Sequence, residues 1–334
     1  MKKILIYNSG GGIGDTVQII NLLISLHDHY TDHEIYLLQA HQNNLFENLL
    51  KELNLNFIKI TPIKFMYFGF RFKHYFQINS LVKKNNIFFD IIIDLQSKLR
   101  NTIILKKIPH NIFISSTLSN FFLKPKFEIK NKEKNIIYRI VNYIKILTNN
   151  KFILKKYNIN LIKKNYFDEA DKLLPNNKYV GISMTQGNLY RKKTLPFDYI
   201  MQISKYLLSI NKKPVFLIEK KHFKLKEKIE SEIKDAIFPE FNSNINDPCL
   251  LISLAKKMDY AITIDNGIMH ILSLANIPMI AIFGPTSSDK FAPKIDNIKI
   301  LSSQKLFNSK NINLITPEII IEKINLLEKE TNLN

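Results

Sequence analysis

Asp259-Tyr-Ala-Ile-Thr-Ile-Asp-Asn-Gly-Ile-Met-His-Ile-Leu-Ser-Leu-Ala-Asn-Ile-Pro-Met-Ile-Ala-Ile-Phe-Gly-Pro-Thr286 is the stretch on which the reading of the fold turns. The short apolar run 260–264 suits a buried strand and ends in Asp265-Asn266-Gly267. His270 follows one helical turn on, and a second apolar run, 278–283, ends in Gly284-Pro285-Thr286. Two strand ends thus deliver polar groups and glycine to one edge of a parallel sheet. In open α/β sheets that edge is where ligands bind.

The same alternation extends outward. Before this stretch, strands are expected over 179–184 and 214–218, and helices over 197–210, 222–234 and 247–257. Asp247 is placed to cap the last of these, with Pro248 at its first helical position. After it come a strand over 297–301 and a helix from Thr316-Pro317 to about 330. The first half predicts strands over 3–7, 34–39, 56–60 and 88–95, and helices over 16–27, 41–53 and 138–147. The aromatic, basic stretch 65–76 reads as a loop or irregular helix. A polar, Lys-rich segment at 149–177 separates the halves. The expected division is a first domain 1–165, a second domain 166–315, and a last helix 316–334 packing back on the first domain. Two βαβ-type halves imply an α/β protein with two parallel sheets covered by helices on both faces.

The 334-residue chain carries 48 Lys and Arg against 29 Asp and Glu, a formal charge of +19. Between Lys98 and Lys164 there are 16 cationic residues and only two acids, Glu128 and Glu133. This segment is either a positive field for phosphates, an anionic membrane surface or nucleic acid, or the drift of a chain rich in Lys, Asn and Ile. Cys249 is the single cysteine, so no internal disulfide forms. The N-terminal apolar run is too short for a signal peptide, and no run reaches the roughly 18 residues of a membrane span. The expected location is the cytoplasm, at most peripheral to a membrane.

The first loop holds Gly10, Gly11, Gly12 and Gly14 before a helix. A dinucleotide fingerprint fails there, because Val17 stands where the third glycine is needed and the second strand ends at Gln39 without an acid. Asp15 at the helix start would repel a phosphate. It is either a helix cap or a carboxylate at the ligand edge able to take a proton from a hydroxyl. In the loop 185–196, Lys192 and Lys193 are either solvated or neutralise a diphosphate, with Thr185 adding hydrogen bonds. Asp265 and His270 are either a cap and a buried imidazole or, by their joint position at a sheet edge, ligand groups. No His-x-x-x-His pair on a predicted helix and no acidic cluster suggests a metal site.

Four segments together resemble glycosyltransferase family 9, the lipopolysaccharide heptosyltransferases and relatives. They are Ile13-Gly14-Asp15; the strand ending Asp94-Leu95-Gln96 and followed by Arg100; Lys193-Thr194-Leu195-Pro196; and Asp265-Asn-Gly-Ile-Met-His270 with Phe283-Gly-Pro-Thr286. The resemblance implies a GT-B fold, two Rossmann-like domains facing an interdomain cleft. It implies inverting, metal-independent transfer from a nucleotide-sugar, ADP-linked, to an anionic glycolipid acceptor, with no cofactor and no nucleic acid. Asp15 would be the general base, with Gly12, Gly14, Gln96 and Arg100 on the acceptor side. Thr185, Gln186, Lys192, Lys193, Asp265, Asn266, Gly267 and His270 would bind the donor. Asn266, Leu195 and Ile268 stand where Thr, Trp and Pro are common, and Glu219-Lys220-Lys221 replaces a usual Gly. Those departures touch the donor's identity. Two other readings are a basic nucleic-acid-binding protein and a transferase of the same fold acting on another glycan. A nicotinamide-dependent dehydrogenase is disfavoured by Val17 and Gln39.

Overall fold

The computed structural model describes all residues except 11, 40–44, 62, 64–67, 70, 130–132, 187–191 and 332–334. The chain divides into two units, Met1–Asn158 and Ile159–Asn334. The boundary falls seven residues before the expected 165. The helix Lys164–Leu173 packs on the helix Pro248–Ala255 and so belongs to the second unit.

The first unit holds strands β1 (Lys2–Asn8), β2 (His33–Gln39), β3 (Ile58–Ile60), β4 (Phe89–Asp94) and β5 (His110–Ile114). All pair in parallel, in the order β3-β2-β1-β4-β5. The second holds β6 (Tyr179–Ser183), β7 (Lys213–Phe216), β8 (Met258–Ile264), β9 (Met279–Phe283) and β10 (Ile298–Ser302), parallel in the order β10-β9-β8-β6-β7. Central strands are apolar on both faces because helices cover both: Ile4, Leu5, Ile6, Ile92 and Ile93 are all inaccessible. In each unit the winding reverses once, between β1 and β4 and between β6 and β8. Such switch points open a crevice at the strands' carboxyl ends.

Several expectations are corrected. The predicted helix over 41–53 is, in its described part, two 3₁₀ turns, Leu45–Glu47 and Lys51–Leu53, closed by Asn54 in the left-handed region (φ 57°). In the aromatic stretch, the described residues from Lys73 open a regular helix, Lys73–Lys84. The last helix, Pro317–Thr331, belongs to the second unit. Ile320, Ile324 and Leu327 join the second unit's own core beside the helix Phe197–Ser209. Lys212 with Glu328 (3.2 Å) and Lys299 with Glu330 hold it there.

Candidate active site

The second unit's switch point gathers most of the predicted donor residues. The carboxyl end of β8 turns into the helix Gly267–Leu274, and the cap is Asn266 rather than Asp265. Asn266 Oδ1 accepts from Met269 N at 2.9 Å, while its Nδ2 donates to Ser183 Oγ (2.7 Å) and to the Thr185 carbonyl (2.8 Å). One amide thus ends one helix and ties the ends of β6 and β8 together. Asp265 is freed from capping, and its carboxylate accepts from Lys193 Nζ at 2.7 Å. Lys193 Nζ also reaches the Asp265 carbonyl at 3.2 Å, and its own backbone N–H donates to Gln186 Oε1 at 2.6 Å. The loop after β6 is therefore closed on itself by Gln186 and pinned to β8 by Lys193.

His270 lies one turn into that helix and is 4% exposed. Burial holds its imidazole well below the usual range; the Asp265 carboxylate opposes that shift and the Lys193 ammonium adds to it. A neutral imidazole thus sits beside a cation–carboxylate pair. Lys192 is exposed, and Arg191 lies outside the described residues. Glu219 is exposed and paired with Lys221 at 2.6 Å. Near it Glu240 is mostly buried, and burial with the Glu219 charge pushes its carboxyl up to about 7.

Two features escaped the sequence reading. Ser183 is the last residue of β6, a polar end to an apolar strand, and that position was its signal. Gln304 Nε2 donates to the carbonyls of Gly284 (2.8 Å) and Thr286 (2.9 Å), fixing the turn after β9. Gly284 is required there, since a Cβ would lie 2.6 Å from Ile312 Cβ.

In the first unit, the turn after β1 leads into the helix Ile13–Val17, whose N-cap is Gly12 without a side-chain cap bond. Asp15 is therefore not the cap. It stands in the first turn, exposed, with its backbone carbonyl held by Asn8 Nδ2 at 2.9 Å. Asn8 Oδ1 accepts from Gly10 N and from Gln96 Nε2, both at 3.3 Å, which joins the ends of β1 and β4. Gly10 packs directly on Asp15: a Cβ there would lie 2.2 Å from Asp15 Cβ, whereas one on Gly12 would stay 3.5 Å from Asp15 Oδ2. Gly14 gives its carbonyl to Gln18 Nε2 at 3.2 Å. Arg100 lies where its charge reaches Tyr7 and His74.

The Gln96 turn rests on Asp94, which the sequence reading quoted at the end of its strand but gave no role. Asp94 is inaccessible, and burial raises its carboxyl above the ordinary range. It accepts from the backbone N–H of Gln96 (2.9 Å) and Ser97 (3.0 Å) and from the hydroxyls of Thr102 (2.6 Å) and Ser115 (2.9 Å). Those bonds hold Ser97 in the left-handed region, φ 51°. Among the described residues no three His, Cys, Asp or Glu side chains come together to hold a metal ion. No helix of the described residues is long and apolar enough to cross a membrane.

Comparison with known proteins places this geometry. No curated protein matches the chain. Among solved structures, a glycosyl transferase family 9 protein from Veillonella parvula has a TM-score of 0.67 at 15% identity, covering 98% of this chain and 97% of its own. The E. coli heptosyltransferase WaaC with ADP has a TM-score of 0.64 at 11% identity, covering 97% and 99%. E. coli ADP-heptose lipopolysaccharide heptosyltransferase II has 0.63 at 15%, covering 99% and 100%. These likenesses identify the two-sheet architecture as the GT-B fold. The sequence profile of glycosyltransferase family 9 (heptosyltransferase) matches residues 80–317, and the chain belongs to that family.

Proposed function

We propose that this glycosyltransferase moves heptose or a related sugar, with inversion, from an ADP-linked donor to a hydroxyl of a lipopolysaccharide-core or other cell-envelope glycan at the cytoplasmic side of the membrane. The observation that carries the donor assignment is the Lys193–Asp265 pair at the β6–β8 switch point, framed by Gln186 and Asn266. Among the described residues, Lys193 Nζ bonds the carbonyl and carboxylate of Asp265, and a phosphate oxygen can replace both. On donor binding the ammonium turns to the diphosphate, and Asp265 accepts from sugar hydroxyls instead. The ADP and ADP-heptose named for E. coli relatives motivate the choice of nucleotide.

In the reaction the acceptor oxygen forms a bond to the anomeric carbon while the bond from that carbon to the diphosphate breaks. Asp15, exposed at the ligand edge of the first sheet, takes the acceptor's hydroxyl proton. The nucleoside diphosphate leaves with the added negative charge, which Lys193 and the exposed Lys192 neutralise. Neutral His270 adds no second positive charge next to Lys193, so that ammonium stays paired with Asp265 until a phosphate arrives. In this reading lysines carry the phosphate charge, and neither metal nor cofactor takes part.

The test is a thermal-shift series with ADP, GDP, UDP and CMP, followed by transfer from nucleotide-heptose in the presence of EDTA. A rise in melting temperature with ADP and undiminished transfer in chelator are expected. No response to any nucleotide would refute the donor assignment.

A further inference from the structure

We infer that the carboxyl-end rim of the first sheet is a surface that rests on an anionic phospholipid bilayer. The inference deepens the reading above, since a lipid-anchored acceptor is what such a rim would serve. Single exposed apolar side chains need no explanation, but a set along one edge does. Phe72 and Phe76, one turn apart at the start of the helix Lys73–Lys84, are 76% and 72% exposed. That helix packs on the helix Leu99–Leu105, which exposes Leu99 (44%). The turn after β5 exposes Leu118 (58%) and Phe121 (67%).

All three segments lie at the same end of the sheet. The helix Leu99–Leu105 follows the carboxyl end of β4, and the turn bearing Phe121 follows that of β5 before Lys124 pairs back with Phe113. The helix Lys73–Lys84 leads into the start of β4, so its own start lies back at the carboxyl end. Buried hydrogen bonds fix it there: Tyr7 Oη, on β1, donates to the Phe68 carbonyl at 2.8 Å and accepts from Asn101 Nδ2 at 2.6 Å, and Gly69 N donates to His74 Nδ1 at 3.1 Å. Asp15 follows β1, the neighbour of β4, on the same edge.

The exposed charge on the segments that carry these side chains is of one sign, with Asp15 the acid on the neighbouring turn. Arg71, Lys73, Lys98, Lys124 and Lys126 are exposed. No acid occurs between Glu52 and Asp90 or between Asp94 and Glu128. Of the two acids between, Asp94 is inaccessible and Asp90 sits at the opposite end of its strand, taking Lys3 N at 2.8 Å. Aromatic rings settle at headgroup depth while lysine and arginine meet lipid phosphates. A second copy of the chain would bring two cationic faces together. Single-stranded nucleic acid would stack on the rings but leave Leu99 and Leu118 bare, whereas acyl chains cover all five.

Co-sedimentation with vesicles of phosphatidylglycerol and phosphatidylcholine, against phosphatidylcholine alone, tests the inference without turnover, so it and the transferase reading fail separately. Wild type should bind the anionic vesicles and release with salt. The double variant Phe72→Ser/Phe76→Ser should bind them about tenfold or more weakly, with an unchanged melting temperature and unchanged transfer to a water-soluble acceptor fragment. Lys124→Gln/Lys126→Gln should flatten the salt dependence. Equal binding to neutral vesicles, or anionic binding untouched by the Phe substitutions, would overturn the inference. So would a Phe-dependent dimer, or Phe-dependent oligonucleotide binding, by protein that ignores vesicles.

Discussion

Gly10→Ala is the sharpest probe of the first unit's site, because it adds one methyl group directly against Asp15. The backbone at Gly10 is not in the left-handed region, so alanine is unstrained there; space alone decides. The added Cβ would meet Asp15 Cβ at 2.2 Å, Cγ at 2.5 Å and Oδ2 at 2.8 Å. Carbon atoms settle at about 3.5 Å or more, so the two must part by roughly 1.3 Å, the difference between 3.5 and 2.2 Å. Rotating the Asp15 side chain cannot relieve a clash at its Cβ, so the helix start must shift and carry the carboxylate with it. A displacement of about 1 Å at a reacting group costs on the order of 100-fold in rate, about 2.7 kcal/mol in the barrier. Overpacking adds about 1–3 kcal/mol of destabilisation. Gly12→Ala is the control, its Cβ in ordinary contact with Asp15 Oδ2 at 3.5 Å. The assay is nucleoside diphosphate release at saturating donor, with calorimetry for nucleotide binding. Gly10→Ala should fall about 100-fold in kcat with nucleotide affinity unchanged, and Gly12→Ala should stay near wild type. Equal, near-wild-type rates for both would refute the argument that Asp15's position matters.

Lys193→Ala should weaken nucleotide binding roughly 10–100-fold, the range for loss of a charged hydrogen bond, measured by calorimetry; unchanged affinity would remove Lys193 from the donor site. Asn266→Ala deletes the helix cap and both ties to β6, costing about 2 kcal/mol and roughly 4–8 °C in melting temperature. Glu240→Gln should flatten stability against pH. The folded carboxyl holds its proton up to about 7 while the unfolded one releases it near 4.5, so wild type has this stability below 4.5 and loses about 3 kcal/mol as pH rises to 7. Urea midpoints at pH 5 and pH 8 read the difference, and a parallel fall in both proteins would contradict it.

The strands carrying the sites were legible because parallel strands buried on both faces are continuous apolar runs: β1, β4, β8 and β9 stand out against a Lys-rich background. The strand β5, His110–Ile114, was not, since it is an edge strand opening with His-Asn inside the most basic segment. Polar residues at the ends of β6 and β8 pointed to a ligand edge, but did not reveal the separate roles of Asp265 and Asn266. They are adjacent, and only backbone angles decide which one caps the helix and which keeps its carboxylate for Lys193. Asp15 posed the same problem; the cap fell to Gly12, a residue with no side chain to announce it. Asp94 was hidden because a buried carboxylate that organises a turn has no signature apart from the strand it ends. The last helix shows a clear apolar stripe, yet a stripe does not say which core it enters.

The central claim is that Asp15 takes the acceptor proton while the second unit alone holds the donor. Asp15→Ala, given ADP-heptose and an acceptor glycan, measures it most directly when transfer and ADP affinity are followed on the same sample. Wild-type ADP affinity with transfer reduced to background is predicted. Transfer at a wild-type rate by that variant would contradict the account.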